Sequence, residues 1–424
     1  MSAAIPPVNS TRRVLFASLI GTTIEFFDFY IYATAAVLVF PHLFFPASDP
    51  TSATLQSLAT FALAFFARPL GSAVFGHFGD RIGRKATLVA ALLTMGLSTV
   101  AIGLLPTYQS IGILAPILLA LCRFGQGLGL GGEWGGAVLL ATENAPPEKR
   151  AWFGMFPQLG APIGFVCSTG IFLILGAVLT EQQLLDWGWR IPFLASAALV
   201  WVGLYVRLKI TETPDFERVL ASNERVKVPM LTVFREHTRT LVLGTFIAMS
   251  VFVLFYLMTV FTLSWGTAQL GYARQEFLML QLIGVLFFAL TIPISALWAD
   301  RDGRQRVLML SALATIAYGL TFAPLLGSGS SMGVLLFLSL GMALMGMAYG
   351  PIGTALAELF PAAVRYTGAS LCFNLAGIFG ASLAPYAATW LASRYGLAAV
   401  GFYLSAATAL TLWALLQMRR RAPG

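Results

Sequence analysis

Charge is what this chain has least of. Only 10% of its 424 residues are Asp, Glu, Lys or Arg, against 58% hydrophobic, whereas a soluble domain carries about 25% charged residues. So few charges cannot coat a globule of this size, which excludes a soluble protein. Cysteine is equally scarce. Cys122, Cys167 and Cys372 all fall in apolar runs, without metal-ligand spacing or an evident disulfide role, and read as packing residues. His42, His77 and His237 lie in or near loops without companions, so no metal site is expected. No GxxxxGK[ST] phosphate loop is present, which removes a nucleotide-driven motor. No nucleophile–base constellation is visible either, so neither an enzyme nor a cofactor is expected. The net charge of +8 invites a nucleic-acid reading, but the basic residues sit in short clusters between apolar runs, which fits the positive-inside rule better. The N-terminus lacks the pattern of a cleaved signal peptide, and the first span is expected to direct insertion.

What fills the chain is apolar runs long enough to cross a bilayer, roughly 20 residues each. Twelve spans are expected, at about 14–40, 54–78, 86–105, 112–141, 153–179 and 190–208, then 240–264, 276–299, 307–326, 332–356, 366–392 and 397–417. The longest polar stretch, 209–239, separates six spans from six. This predicts an all-α membrane protein of twelve transmembrane helices in two six-helix bundles, residues 1–208 and 240–424, joined by that loop. With the N-terminus inside, the inner segments hold 21 of the 26 Lys and Arg residues. The bias puts both termini in the cytoplasm. An internal repeat agrees. Gly76–Lys85 (GHFGDRIGRK) matches residues 296–305 (ALWADRDGRQ), and Glu143–Arg150 (ENAPPEKR) matches Glu358–Arg365 (ELFPAAVR). Two equivalent halves are the pattern of a transporter built from parallel repeats, with its site between them near the midplane.

Within this apolar frame the stretch Gly21–Tyr30 (GTTIEFFDFY) places Glu25 and Asp28 inside the first span. An ionisable group at mid-depth in a bilayer is costly and marks function by default. At ~1.5 Å per residue, Asp28 lies roughly 21 Å in from the cytoplasmic side and Glu25 about 16 Å. Arg123 in the fourth span is at a depth similar to Asp28, and Glu133 is in the inner third, nearer Glu25. A buried carboxylate holds its proton, whereas a neighbouring Arg releases it. An acid that shares an Arg with a substrate carboxylate can therefore gain or lose a proton as substrate binds. Asp28 or Glu25 is thus the expected proton site, with Glu133 a third candidate, and Arg123 is expected to contact the substrate or that acid. The alternative is a permanent ion pair fixing the first span to the fourth. Packing is the alternative for Glu133, since seven glycines surround it.

GHFGDRIGRK resembles the signature of the major facilitator superfamily. GTTIEFFDFYIY, FFARPLGSAVFGHFGDRIGRK, RFGQGLGLGGEWGGA, ETPDF at Glu212–Phe216 and DWGWRIPF at 186–193 are similar, more narrowly, to its metabolite:proton symporter family. The second-half loop departs from the signature at Ala296 and Gln305. The resemblance implies that the first and fourth spans line a central cavity, so that the shared face of Glu25 and Asp28 points into it and a proton passes inward from one to the other. It also implies a cytoplasmic gate of Gly76, Asp80, Arg81, Gly83, Arg84, Glu143 and Arg150, with Asp300, Arg304, Glu358 and Arg365 as second-half counterparts. Candidate substrate contacts are Arg123, Asp28, Tyr32 and Gln126 from the first half, and Tyr256, Gln281, Tyr349 and Asn374 from the second. Arg68, before Pro69 in the second span, receives no role. The implied activity is proton-coupled import of a small polar metabolite, which the charge of Arg123 points to as a carboxylate, with proton-coupled export as the alternative. The expected partners are that substrate, protons and the bilayer of a bacterial inner membrane, with no nucleic acid, and the chain is expected to act as a monomer.

Overall fold

A chain crossing hydrocarbon must satisfy its backbone internally, and these apolar runs do so as helices. The computed structural model describes residues 10–46, 50–221 and 229–419. Among the described residues twelve helices are long and apolar enough to span a membrane. They are α1 (Thr11–Leu38), α2 (Gln56–Arg81), α3 (Arg84–Leu104), α4 (Leu114–Glu143), α5 (Pro147–Val178), α6 (Arg190–Leu208), α7 (Thr238–Ala268), α8 (Arg274–Asp302), α9 (Arg304–Leu326), α10 (Ser331–Ala357), α11 (Ala362–Tyr395) and α12 (Leu397–Met418). Between α6 and α7 run two short helices, Pro214–Ala221 and Pro229–Glu236. Arg225, Lys227, Arg420 and Arg421, counted above among the inner basic residues, lie outside the described residues.

The repeat seen in the loops extends to packing. In the first half α1 packs on α5, α2 on α4, and α3 on α4 and α6; six helices later α7 packs on α11, α8 on α10, and α9 on α10 and α12. The halves meet through α2 against α11 and α5 against α8, again the same pair exchanged. Gly83 (φ 128°) and Gly303 (φ 92°) make the equivalent turns α2–α3 and α8–α9 in a backbone region that favours glycine. The glycines of α4 serve close approach: a Cβ on Gly131 would collide with the Arg68 carbonyl of α2. Leu97, Leu121 and Leu286 are exposed on the outer surface, where lipid covers them.

α1 and α7 are the most buried helices, at 72% and 89% of their apolar windows, so they form the middle of the molecule. α7 is interrupted by a π-turn at Leu257–Phe261 and α11 by another at Ile378–Ser382. Such turns break the hydrogen-bond ladder and mark functional bends. Gln281 of α8 repairs the first, its Nε2 donating to the carbonyls of Met258 (3.0 Å) and Thr259 (2.7 Å).

Candidate functional site

The three candidate proton sites, Glu25 and Asp28 of α1 and Glu133 of α4, have three different surroundings. Glu133 is fully buried and pairs with Arg207, which donates from Nη1 to Glu133 Oε2 at 2.8 Å and from Nη2 to Oε1. The sequence places Arg207 at the very end of the sixth span, where it counts among the inner basic residues. It is a buried residue of the last turn of α6, and its long side chain reaches back along the helix to Glu133. Asp28 accepts from the Ser196 hydroxyl of α6, and its carbonyl accepts from Gln126 of α4 at 3.4 Å. Glu25 is also fully buried, yet neither of its carboxylate oxygens has a hydrogen-bond partner. It lies in electrostatic reach of Arg68 and Arg207, and of Tyr256 and Tyr349 of the second half.

Arg123 does not meet Asp28 in an ion pair among the described residues. Its Nη1 donates to Gln126 Oε1 at 2.7 Å and its Nη2 to the Phe61 carbonyl at 3.4 Å. Its guanidinium sits 4.0 Å from the Tyr32 ring centre, 4.4 Å from Phe29 and 5.0 Å from Phe61. Cation–π contacts on three sides hold the charge without a carboxylate. Gln126 extends the cluster to Thr99 at 2.7 Å, and Tyr32 donates to Thr60 at 2.7 Å. Similar depth brought Arg123 and Asp28 to one level, but they point to different neighbours. Asp28, Tyr32, Gln126 and Arg123 form the interior of the first half, and none of them lines the cavities between the halves.

Those cavities hold about 30 Å³ and 20 Å³, room for one or two waters each. Tyr30 and Tyr256 line both, Gln281 closes the outer one, and Arg68, Tyr349 and Phe373 line the inner one. Three of the candidate substrate contacts, Tyr256, Gln281 and Tyr349, thus line these cavities. Asn374 sits behind, its Oδ1 accepting from Arg68 Nε at 2.6 Å and its Nδ2 donating to Ser72 at 2.7 Å.

On the cytoplasmic side the halves are bolted together. Asp80 of α2 accepts from the backbone N–H (3.1 Å) and hydroxyl (2.7 Å) of Thr367, early in α11. Asp300 of α8 makes the equivalent contact, accepting from the N–H groups of Ala151 (2.9 Å) and Trp152 (2.8 Å), early in α5. A carboxylate on the free amides of a helix N-terminus satisfies orphan donors and meets the positive end of the dipole. Arg84 reaches Asp80 at 3.4 Å and Glu143 at 3.6 Å. Arg365 crosses to Glu143 at 3.5 Å, and Arg304 holds Glu358 at 3.2 Å and Asp300 at 3.5 Å. Gly76 packs against Thr367. Two expected members stand apart. Arg81 is exposed beside His77, and Arg150 lines the same pocket as Glu143, Glu358 and Arg365 without an ion pair within 4 Å among the described residues.

Sequence reasoning missed the part played by the polar linker. Glu212 accepts from the N–H groups of Arg84 (3.1 Å) and Lys85 (3.3 Å), capping α3. Thr213 donates to Glu143 at 2.6 Å, Asp215 takes Arg365 at 2.9 Å, and the Phe216 ring lies 4.9 Å from the Arg84 guanidinium. The ETPDF string was the available signal. Two acids on either side of Pro214 at a helix start, next to a basic turn, are the residues a cap and an ion pair need. Among the described residues the hydrogen bonds between the halves, including Gln158 to the Tyr349 carbonyl (2.8 Å) and Thr354 to the Arg150 carbonyl (3.1 Å), run from mid-membrane to the cytoplasmic face. The arrangement is closed on the inside.

Comparison with known proteins fits this architecture. The Major Facilitator Superfamily profile matches residues 18–381. The inner membrane metabolite transport protein YhjE of Escherichia coli is 60% identical, over 97% of this chain and 94% of that one. The shikimate transporter of E. coli is 35% identical, over 96% and 95%. In fold, a structure of the proton:xylose symporter XylE superposes with a TM-score of 0.76 at 17% identity, covering 97% of this chain and 96% of that one. The protein is thus a multi-pass transporter of the inner membrane and not an enzyme, and it belongs to the major facilitator superfamily, within its metabolite:proton symporter family.

Proposed function

We propose that the protein imports a small metabolite carboxylate together with protons by alternating access, acting as a monomer, with Glu25 as the proton site. The single observation that carries this reading is the state of Glu25: buried in the middle of the bilayer, with both carboxylate oxygens unpartnered. Holding a bare carboxylate there costs several kcal/mol, and a proton removes that cost. Glu133 is held at both oxygens by Arg207, and Asp28 at one oxygen by Ser196 with its other open. Glu25 is free to exchange its proton when one side of the bundle opens to water. Import is supported by the closed cytoplasmic face, which leaves the outer side as the first to part. The likeness to a shikimate transporter and the guanidinium in the cavity wall both favour an anionic substrate.

Proteoliposomes with an imposed pH gradient test this. With labelled shikimate, lactate, succinate and glycine betaine as probes, an inward proton gradient should drive accumulation of at least one carboxylate. Glu25→Gln should abolish accumulation and keep exchange of labelled for unlabelled substrate. Uphill uptake by Glu25→Gln refutes the proton site. Net efflux under the same gradient would make the protein an antiporter.

A further inference from the structure

The residue that the sequence left without a role is the one we infer to bind the substrate: Arg68, whose guanidinium receives the substrate carboxylate in the cavity between the halves. The inference rests on the reading of the protein as a carboxylate transporter.

Four observations converge. Arg68 is 2% exposed and lines the inner cavity together with Tyr256 and Tyr349 of the other half, so a ligand there touches both halves at once. Its bonding is incomplete. Nε donates to Asn374, whereas Nη2 has no partner and no carboxylate lies within ion-pair distance among the described residues. The phenyl rings of Phe29, Phe65 and Phe373 stand 5.8, 5.8 and 5.9 Å from its central carbon. These rings exclude water without supplying a counter-charge. The other buried guanidinium groups differ. Arg84 and Arg207 have carboxylates, and Arg123 uses both terminal nitrogens within the first half. An arginine stays charged, so a buried one with a free terminal nitrogen in a cavity wall calls for an anion.

The geometry also selects the kind of anion. With Nε held by Asn374, the edge left open is the pair of terminal nitrogens, and a planar carboxylate matches it with two parallel hydrogen bonds. Glu25, in electrostatic reach of Arg68, is the competitor for the same charge. When Glu25 carries its proton, the guanidinium is released to the substrate anion, and when the anion leaves, Glu25 can take its place. One cation shared by two acids keeps the net charge of the site constant through the cycle. That gives proton and substrate a reason to travel together.

A merely structural Arg68 would strut α2 to α11 through Asn374, and binding separates the two. Trp134 stacks on Phe373 with ring centres 3.6 Å apart, and Phe373 lines the cavity, so tryptophan fluorescence of the purified full chain reports ligand there. The probes are shikimate, lactate, succinate and glycine betaine, each beside its methyl ester, at up to millimolar concentration. A carboxylate should give a saturable change, and its ester should bind weaker by on the order of 30-fold or more, the loss expected when a buried charge pair is broken. Arg68→Gln should lose the acid to the same extent. Arg68→Lys keeps the charge, and with it the fold, but has no fork, and should lose about 10-fold. Acid binding by Arg68→Gln or Arg68→Lys within about threefold of the parent, equal binding of acid and ester, or no response to any of the carboxylates overturns the assignment. Glu25→Gln in the same assay should still bind the acid. If it binds and also accumulates substrate against a gradient, the proton site fails while Arg68 stands. If it loses accumulation while Arg68→Gln binds normally, Arg68 fails alone.

Discussion

Removing either member of the Glu133–Arg207 pair should be far worse than removing both. The pair is held by two hydrogen bonds between charged groups, with side chains 0% and 4% exposed, and Arg207 Nη1 also donates to the Leu88 carbonyl of α3 at 2.6 Å. Three helices, α3, α4 and α6, thus meet on one guanidinium. Glu133→Leu leaves that cation buried without its counter-charge, and Arg207→Met leaves a bare carboxylate. Either is expected to cost about 3–5 kcal/mol. The double variant removes both charges and packs alkyl chains in their place, so it should cost less than either single change, near zero or slightly favourable. For a soluble chain of this length the unfolding entropy would be about 0.9 kcal/mol per kelvin, making the single losses roughly 3–6 K in Tm. Membrane helices stay folded in detergent, so the entropy is smaller and the shifts are larger than that. The assay is thermal unfolding of the purified protein for parent, two singles and double. Additive losses, with the double variant least stable, would refute the account of Glu133 as one half of a neutralised pair.

Other expectations concern the remaining charges. Arg123→Leu should lower stability by about 2–4 kcal/mol through lost cation–π and hydrogen-bond contacts, yet leave carboxylate affinity in the fluorescence titration within about threefold; a large loss of affinity would return Arg123 to the substrate site. Asp300→Asn weakens the cap that Asp300 places on α5, by about 1.5–3 kcal/mol for bonds to a charged group, and maleimide labelling of Thr354→Cys from the cytoplasmic side should rise at least about 10-fold. Glu212→Ala should cost about 1 kcal/mol of helix capping, seen as faster hydrogen exchange at the amides of Arg84 and Lys85. Burial holds Glu358 above the ordinary glutamate value of 4.5, against the pull of Arg304. The closed gate therefore binds more proton than an open, hydrated one just above that value. Acidification should favour closure and rising pH should loosen it, and Glu358→Gln should flatten that dependence in the same labelling assay.

The fold was almost wholly legible, because the cost of burying backbone and charge in lipid leaves its mark on every twenty residues. The internal repeat was legible for the same reason that the packing repeats: equivalent turns need a glycine with positive φ, at Gly83 and Gly303, and equivalent acids, at Asp80 and Asp300. What could not be read was direction around a helix. Sequence gives depth along a span, and depth matched Asp28 with Arg123. But α1 is surrounded on all sides, so the 60° or so between residues three apart sends Asp28 towards α6 and Glu25 towards the charges of α2 and the second half. Reach was the other missing quantity. Arg207 sits at the end of an apolar run, where it counts among the inner basic residues, while a long side chain that folds back along the helix carries its charge well inside.

The charges of the first half then sort themselves by how completely they are bonded. Desolvating an ion is expensive, and a protein recovers that expense only through partners. Where the partners are present, the group is part of the architecture: Glu133 with Arg207, Arg84 with Asp80 and Glu143, Arg123 among its rings and amides. Where they are absent, the structure is less stable than it would be with an apolar residue there, and such a deficit persists at sites of function. Among the described mid-membrane groups that condition is furthest advanced at the carboxylate of Glu25, open at both oxygens where Asp28 is open at one, and at the terminal edge of Arg68; these two are of opposite sign and in reach of each other. Among the described residues the second half lines that cavity without a charge, with Tyr256, Tyr349 and Phe373 beside aliphatic and further aromatic side chains. A proton on one group and a carboxylate on the other would satisfy both, and aromatic walls from the second half can close over a neutralised site at little cost.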